Sequence, residues 1–381
     1  MLRLGVIGYG GRIRGIISGL RNFGEDFTIA AIADPRGAEL KEELEELKDT
    51  AIYDDADALL DAEELDGALV GTRCSLHTPM AAKVAARGLP LFLEKPVATS
   101  EEQVAALAEA FKDCSSEVVV SFPLRLTSLA LTTKEIIDSG RLGPIEHVQA
   151  WNNVPYGWCY YGAWYRDFDE TGGLFLQKAT HDFDCISFLL DSPPKSVCAM
   201  HSQRVYGGDK PEDLMCDDCA EQETCIESPF NLFYRRHETP KLQPSGRHCL
   251  HSESIRNEDS GNAIIEFESG VQASYSQNFF ARNKAGARGA RLLGYKGTIE
   301  FDWYTGEVRV FEHHSARVDT IRFEGGGSHF GGDSELCYDF LQIVKGAGHS
   351  RSPIEAGIVS AASCLAARKS AETRTFQDVT W

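Results

Sequence analysis

A chain of 381 residues, 43% apolar and 10% aromatic, buries a sizeable core, and its length suits two or three domains. The 38 basic and 57 acidic residues give a formal charge of -19, which repels phosphate backbones and anionic lipid, so neither nucleic acid nor a membrane is an expected partner. No apolar run approaches the roughly 20 residues of a membrane span. Met1 leads almost directly into Leu4-Gly5-Val6-Ile7-Gly8 without the pattern of a secretory leader, so a cytoplasmic location with reduced cysteines is expected.

The first 120 or so residues alternate strand-like and helical periods. Strand runs lie at 2–8, 27–34, 67–72, 90–95 and 117–122, and "SEEQVAALAEAFKDC" (100–114) is a helix opened by Ser100 and Gln103 at capping-box spacing. That alternation predicts a doubly wound parallel α/β sheet over 1–122. From 123 to 381 the pattern predicts an α+β domain. Its longer alternating runs at 147–154, 195–206 and 262–279, and the pair around Thr305-Gly306, imply a largely antiparallel sheet with helices on one face. The Cys-rich, aperiodic segment at about 207–260 is expected to be an irregular insertion.

Chemistry follows from position in such a fold. "GVIGYGGRIRG" lies between the first strand and a helix beginning near Arg12, where backbone N–H groups and the helix dipole receive a pyrophosphate. Gly8 allows the tight turn and Gly10 the approach of the phosphates, with Gly11, Arg12 and Ile13 completing the loop; Ile13 replaces the third glycine of G-x-G-x-x-G. Asp34, closing the second strand, suits the ribose hydroxyls of NAD; Arg36 nearby leaves NADP as second choice. Ligands of open α/β sheets bind beyond the carboxyl ends of the strands, which directs Glu94 and Lys95 of "LEKPVATS", and Thr72 and His77 of "VGTRCSLHTPMA", toward the cofactor crevice. A lysine there stabilises negative charge developing on a substrate oxygen.

"GVIGYGG", "AIADP", "LHTPMAAKVAARG", "EKPVA", "SFPLRLT" and "GRLGPI" occur in the order and spacing of the glucose-fructose oxidoreductase and inositol 2-dehydrogenase family, Gfo/Idh/MocA, which the chain resembles over nearly its whole length. The resemblance implies a Rossmann domain with a nicotinamide cofactor, an open-faced C-terminal sheet, and oxidation or reduction of a sugar, sugar derivative or cyclitol hydroxyl. It also implies a homo-oligomer, a dimer or tetramer. Lys95 corresponds to the family's catalytic lysine, and Arg125 to the arginine after the sixth strand, expected on the cofactor's side. "GGLFLQKATHDFD" (172–184) resembles the family's G-G-x-x-x-D-x-G-x-H-x-x-D, which puts His181 at the catalytic histidine and Asp184 at the closing acid, with Gln177 where aspartate is usual and Ala179 where glycine is usual.

On a helix Lys178 and His181, three apart, share one face, while Phe183, Ile186 and Leu190 face the core. His181, with an ordinary pKa near working pH, is expected to take the hydroxyl proton, while Lys95 and Lys178 polarise the oxygen. Tyr161, Trp164 and Arg166 of "YGAWYR" are candidates for stacking on and binding a sugar ring, and His329 and Asp333 of "GGGSHFGGD" for substrate contact. Cys216, Cys219, Cys225 and Cys249 suit a tetrahedral thiolate site, zinc first and an iron-sulfur cluster second, with His248 or His251 as substitutes for Cys249. Two other readings share these residues: a glycosidase or lyase whose retained NAD oxidises the sugar transiently, and a cofactor-bound sensor without turnover.

Overall fold

The structure, a computed structural model, describes residues 1–229, 231, 247–324 and 328–381. Its first sheet is built from β1 (Leu2–Ile7), β2 (Phe27–Ala33), β3 (Ala51–Tyr53), β4 (Gly67–Val70), β5 (Leu91–Leu93) and β6 (Val118–Val120). All pairs are parallel, in the order β3-β2-β1-β4-β5-β6. The order reverses between β1 and β4, which opens a ligand crevice at their carboxyl ends. Helices α1 (Gly11–Arg21), α2 (Gly37–Glu43), α3 (Ala56–Ala62), α4 (His77–Ala85) and α5 (Glu101–Phe111) cover the sheet. Strands buried on both faces explain runs such as Gly67–Val70 with no polar alternation. Helix α5 starts as its sequence implies: the Gln103 N–H donates to Ser100 Oγ at 3.2 Å, and Val104, Leu107 and Phe111 are buried.

Helices α6 (Ser128–Asp138), α7 (Cys159–Gly162), α8 (Phe168–Thr171) and α9 (Thr180–Leu190) are interleaved with a second sheet and followed by α10 (Gly332–Val344) and α11 (Ile354–Thr373). The strands are β7 (Ile145–Asn153), β8 (Pro194–Ser202), β9 (Ser260–Phe267), β10 (Gln272–Asn278), β11 (Ala287–Gly294), β12 (Gly297–Asp302), β13 (Glu307–Glu312), β14 (Val318–Arg322) and β15 (Gln377–Asp378). They are ordered β14-β13-β12-β11-β7-β10-β9-β8-β15, antiparallel except for the β7–β10 pair. Alternation decides the faces: Ala263, Ile265 and Phe267 of β9 are buried, whereas Ile264 and, on β8, Met200 are exposed on the open face. Helices α9 and α11 pack on the other side, where Gly357 lets α11 approach Val97 closely.

The end of the chain returns to the first sheet. Leu336, Phe340 and Leu341 of α10 share a core with Leu4, Val6, Ile13 and Phe92, and Phe340 meets Phe92 edge-on at 5.8 Å.

Candidate active site

The loop from β1 into α1 has the form a dinucleotide needs. Gly8 has φ +82, and a Cβ there would lie 2.7 Å from the Thr72 backbone nitrogen, so only glycine fits this turn. Helix α1 starts with no side-chain cap at Gly10, and no atom lies within 4 Å of a Cβ built on Gly11. The first N–H groups of α1 are therefore left for an anion. Asp34 is buried at the end of β2, and its carboxylate accepts the N–H groups of Tyr9 and Arg36, each at 2.8 Å. Two of about four acceptor sites on that carboxylate are thus used. Ile13 occupies the space of the missing third glycine because Gly71 on the neighbouring loop has no side chain: a Cβ there would lie 1.9 Å from Ile13 Cγ1. These residues fit an NAD molecule.

Beside this loop two parts of the chain meet. Lys95 follows β5, and its Nζ donates to the Gln177 carbonyl at 3.0 Å. Gln177 and Lys178 lie in a π-helical turn, Phe175–Ala179, that leads into α9. The sequence predicts a plain α-helix there. The turn is instead anchored at its start by the buried Glu258 carboxylate, which accepts the Phe175 N–H at 2.7 Å. Such insertions occur often at functional sites. Lys178 Nζ donates to the Tyr156 hydroxyl at 2.6 Å. Burial, then the charge of Lys178, pushes Lys95 down to about 8; burial, then Arg288, pushes Lys178 down to about 7. His181 is held well below its ordinary value by burial and by Lys95, Arg288, His329 and Lys178, and among the described residues its Nδ1 has no hydrogen-bond partner. Its ring lies 6.1 Å from that of His329. Lys95, Lys178, His181 and His329 are brought together as the sequence implies.

Arg12 and Glu94 reach the same place but are engaged with each other. Arg12 Nε donates to Glu94 at 2.9 Å, its two terminal nitrogens to Asp333 at 2.8 and 2.6 Å, and one of these also to Ser121 at 3.0 Å. Asp333 in turn holds His329 Nδ1 at 2.9 Å. Thr72 stands beside Gly8 at the crevice, and Arg36, largely exposed, pairs with Asp34 at 3.7 Å.

Several expected contacts are replaced by others. The buried ring of His77 lies between the Pro96 carbonyl at 2.7 Å and the Thr72 carbonyl at 3.2 Å, so it holds together the loops carrying Lys95 and Thr72. Arg125 and Asp184, expected at cofactor and substrate, are buried against each other, with Arg125 Nε 3.0 Å from Asp184. Arg125 also donates to the Arg351 carbonyl, and burial leaves Asp184 raised to about 6. Tyr161 is fully buried, with its hydroxyl on the Glu258 carbonyl at 2.8 Å, and is a core residue rather than a sugar platform. Arg166 turns to Ser254 Oγ at 2.7 Å and the Glu212 carbonyl. The Trp164 ring already carries Tyr165, stacked at 3.9 Å, and the Arg73 guanidinium at 4.0 Å, so a sugar would have to displace one of them.

Tyr156 and Glu258 were not anticipated. The aromatic run "VPYGWCYY" is a signal for the first; Glu258, inside an aperiodic segment, gives none.

Cys216, Cys219, Cys225 and Cys249 line one pocket together with His251, whereas His248 does not line it. All four cysteines are free thiols. Among the described residues no three His, Cys, Asp or Glu side chains stand at metal-binding geometry, so neither zinc nor an iron-sulfur cluster follows from the arrangement. No helix of the described residues is long and apolar enough to cross a membrane.

Residues 2–122 match the oxidoreductase family with an NAD-binding Rossmann fold, and residues 130–300 match the GFO/IDH/MocA C-terminal domain. The YteT protein of Bacillus subtilis is 26% identical over 352 residues, covering 81% of this chain and 80% of that protein. The inositol 2-dehydrogenase of Rhizobium meliloti is 30% identical over 144 residues, 38% of this chain and 42% of that enzyme. A levoglucosan dehydrogenase solved with NADH and levoglucosan superposes with TM-score 0.77 over 100% of both chains at 18% identity, which shows the shared fold. With both domains matched in sequence, the glycine loop and Lys95 at strand ends of a parallel sheet, and His181 on a helix against a largely antiparallel one, the chain belongs to the Gfo/Idh/MocA family of oxidoreductases.

Proposed function

We propose that the protein is an NAD-dependent dehydrogenase acting on a hydroxyl-bearing carbon of a sugar, sugar derivative or cyclitol. The observation that carries this is the junction of Lys95 Nζ with the Gln177 carbonyl, which joins the end of β5 in the first domain to the turn that leads into His181. Gly8, Gly10, Gly11 and Asp34 would hold the cofactor, and the Asp34 carboxylate favours NAD over NADP. Bound NAD supplies a hydride acceptor. The chain supplies the rest.

Lys95, anchored on a carbonyl and charged below about pH 8, directs an N–H at the substrate oxygen and stabilises charge developing there. His181 takes the hydroxyl proton. Its depressed pKa keeps it neutral at working pH, and a weak base suffices because loss of hydride makes the O–H strongly acidic. Lys178 and His329 complete the walls, and the ties among Arg12, Glu94 and Asp333 close the crevice.

Purified protein given NAD and a panel of sugars and cyclitols is expected to form NADH, and His181→Ala to lower the rate roughly 100-fold or more. No reduced cofactor with any substrate, and no effect of that substitution, would refute the reading. Sugar breakdown without NADH accumulation would replace it with the redox-neutral alternative.

Three finer points belong to the same proposal. The spacing of Cys216, Cys219, Cys225 and Cys249 in the sequence, not their geometry, is the ground for a structural thiolate centre, zinc before iron-sulfur; elemental analysis finding no stoichiometric metal removes it. The open sheet face around Met200 and Ile264 supports subunit pairing, which a monomer in analytical ultracentrifugation would exclude. The location proposed is cytoplasmic, with the first domain ending near residue 122.

A further inference from the structure

Among the described residues, neither lysine of the site has an acid to itself. Lys95 donates to a backbone carbonyl and Lys178 to a tyrosine hydroxyl. The carboxylates that act on them, Glu94 on Lys95 and Asp182 on Lys178, are held by Arg12 and Arg288. Gln177, between the lysines in sequence, is neutral, and among the described residues its side-chain oxygen accepts the Cys74 thiol, at 3.7 Å. Lys178 is 5% exposed. An ammonium has three donors, and the one hydrogen bond found for Lys178 leaves two N–H groups.

A buried charge without a counterion is costly, because desolvation is not offset by an ion pair. The lowered proton affinity of both lysines reflects that cost, and a ligand bearing a negative charge would remove it.

We propose that Lys178, with Tyr156 beside it, receives a carboxylate of the substrate, so that the site takes a sugar acid of the hexuronate class rather than a neutral sugar. This rests on the dehydrogenase reading and names its substrate class. Lys95 then serves the reacting hydroxyl while Lys178 fixes the ring through the acid group. A carboxylate fits better than a phosphate, because phosphates are held by arginine forks or by several backbone N–H groups. Of the arginines close to the lysines, Arg12 is taken by Glu94 and Asp333, and Arg288 gives its Nε to Asp182, which leaves a single buried Nη2 without a partner among the described residues rather than a free fork. In a chain of net charge -19, two unneutralised lysines at one site are also what would draw an anion in.

The test compares sugars differing only at the terminal carbon: galacturonate with galactose, and glucuronate with glucose, each with NAD. The acids are expected to be preferred in kcat/KM by on the order of 10- to 100-fold, the worth of a hydrogen bond to a charged group. Lys178→Gln should erase that preference and Lys178→Arg keep much of it, with NADH binding confirming that each variant is folded. Equal use of neutral sugars, a stronger preference for sugar phosphates, or an unchanged ratio in Lys178→Gln overturns the proposal and leaves the dehydrogenase reading intact. If no sugar is oxidised, that reading falls. Calorimetry on the NADH-loaded protein then decides the charge preference: tighter binding of hexuronate, lost in Lys178→Gln, supports it, and equal binding of acid and neutral sugar overturns it.

Discussion

Ile13 stands where a dinucleotide-binding loop ordinarily has its third glycine, and Gly71 is what accommodates it. The two positions form one packing unit, since a Cβ on Gly71 would lie 1.9 Å from Ile13 Cγ1 and 2.7 Å from Cδ1. Gly71→Ala is therefore expected to destabilise the fold by about 1–3 kcal/mol in urea unfolding and to weaken NADH binding. Adding Ile13→Ala should recover part of both. A neutral Gly71→Ala would show that the loop relaxes freely and that the pairing is incidental.

The lysine and histidine of the site make a second prediction at this scale. His181 must be neutral and is held well below its ordinary 6.5, so the acid limb of kcat/KM should lie below pH 6.5. Lys95 must be charged and loses its proton near 8, so the rate should fall as pH rises through about 8. A rate that climbs through pH 8 would make neutral Lys95 the base instead.

Among elements, the π-helical turn Phe175–Ala179 matters most, because it positions Lys178 and places the Gln177 carbonyl under Lys95. Its anchor is remote in sequence. Glu258 accepts the Phe175 N–H, and its neighbour Asn257 donates to the carbonyls of Tyr160 at 3.2 Å and Tyr165 at 2.9 Å, in the aromatic segment that also contains Tyr156. Glu258→Ala leaves a buried N–H unsatisfied and is expected to cost about 1–3 kcal/mol. It should also lower kcat by more than NADH affinity, measured side by side, because the nucleotide loop does not touch it. Equal losses in both would mean that the whole molecule had loosened.

This anchor shows where sequence reading stops. Asp34, Gly8 and Lys95 are legible because each sits at a strand end, and parallel sheets bind ligands there. The Arg125–Asp184 pair is not, since any of several carboxylates could have met that guanidinium until the fold chose one. Strand β3 has three residues and β11, "ARGARLLG", mixes arginine with glycine, so neither shows a period. Tyr161 and Tyr156 lie five apart in one aromatic run; only packing sends the first into the core and the second to Lys178.

At the scale of the whole molecule, a part-buried ion pair joins the early and late parts of the chain. Arg12, at the start of α1, and Asp333, at the start of α10, are bound by two hydrogen bonds of 2.8 and 2.6 Å, and α10 packs in the same core as α1. Asp333 also holds His329, which with Phe330 adopts left-handed backbone angles, φ 46 and 55. Each such residue costs on the order of 1–3 kcal/mol and persists only where its surroundings impose it. Asp333 is thus the point at which Arg12 of the glycine loop is tied to the turn that carries His329.

Asp333→Asn removes the charge and keeps the shape. It is expected to lower stability by about 1.5–3 kcal/mol and to raise KM for the sugar more than the Kd for NADH, since Arg12 keeps Glu94 and Ser121. The pH dependence follows from the sign of the shift. Arg12 and His329 hold Asp333 below its ordinary 3.8, so its contribution is complete above about pH 4 and is lost as pH falls further toward the depressed value. The stability difference between wild type and Asp333→Asn should therefore stay constant from pH 5 to 8 and shrink only in strong acid; a difference that vanishes near neutrality would show that the Asp333 charge does not carry the coupling.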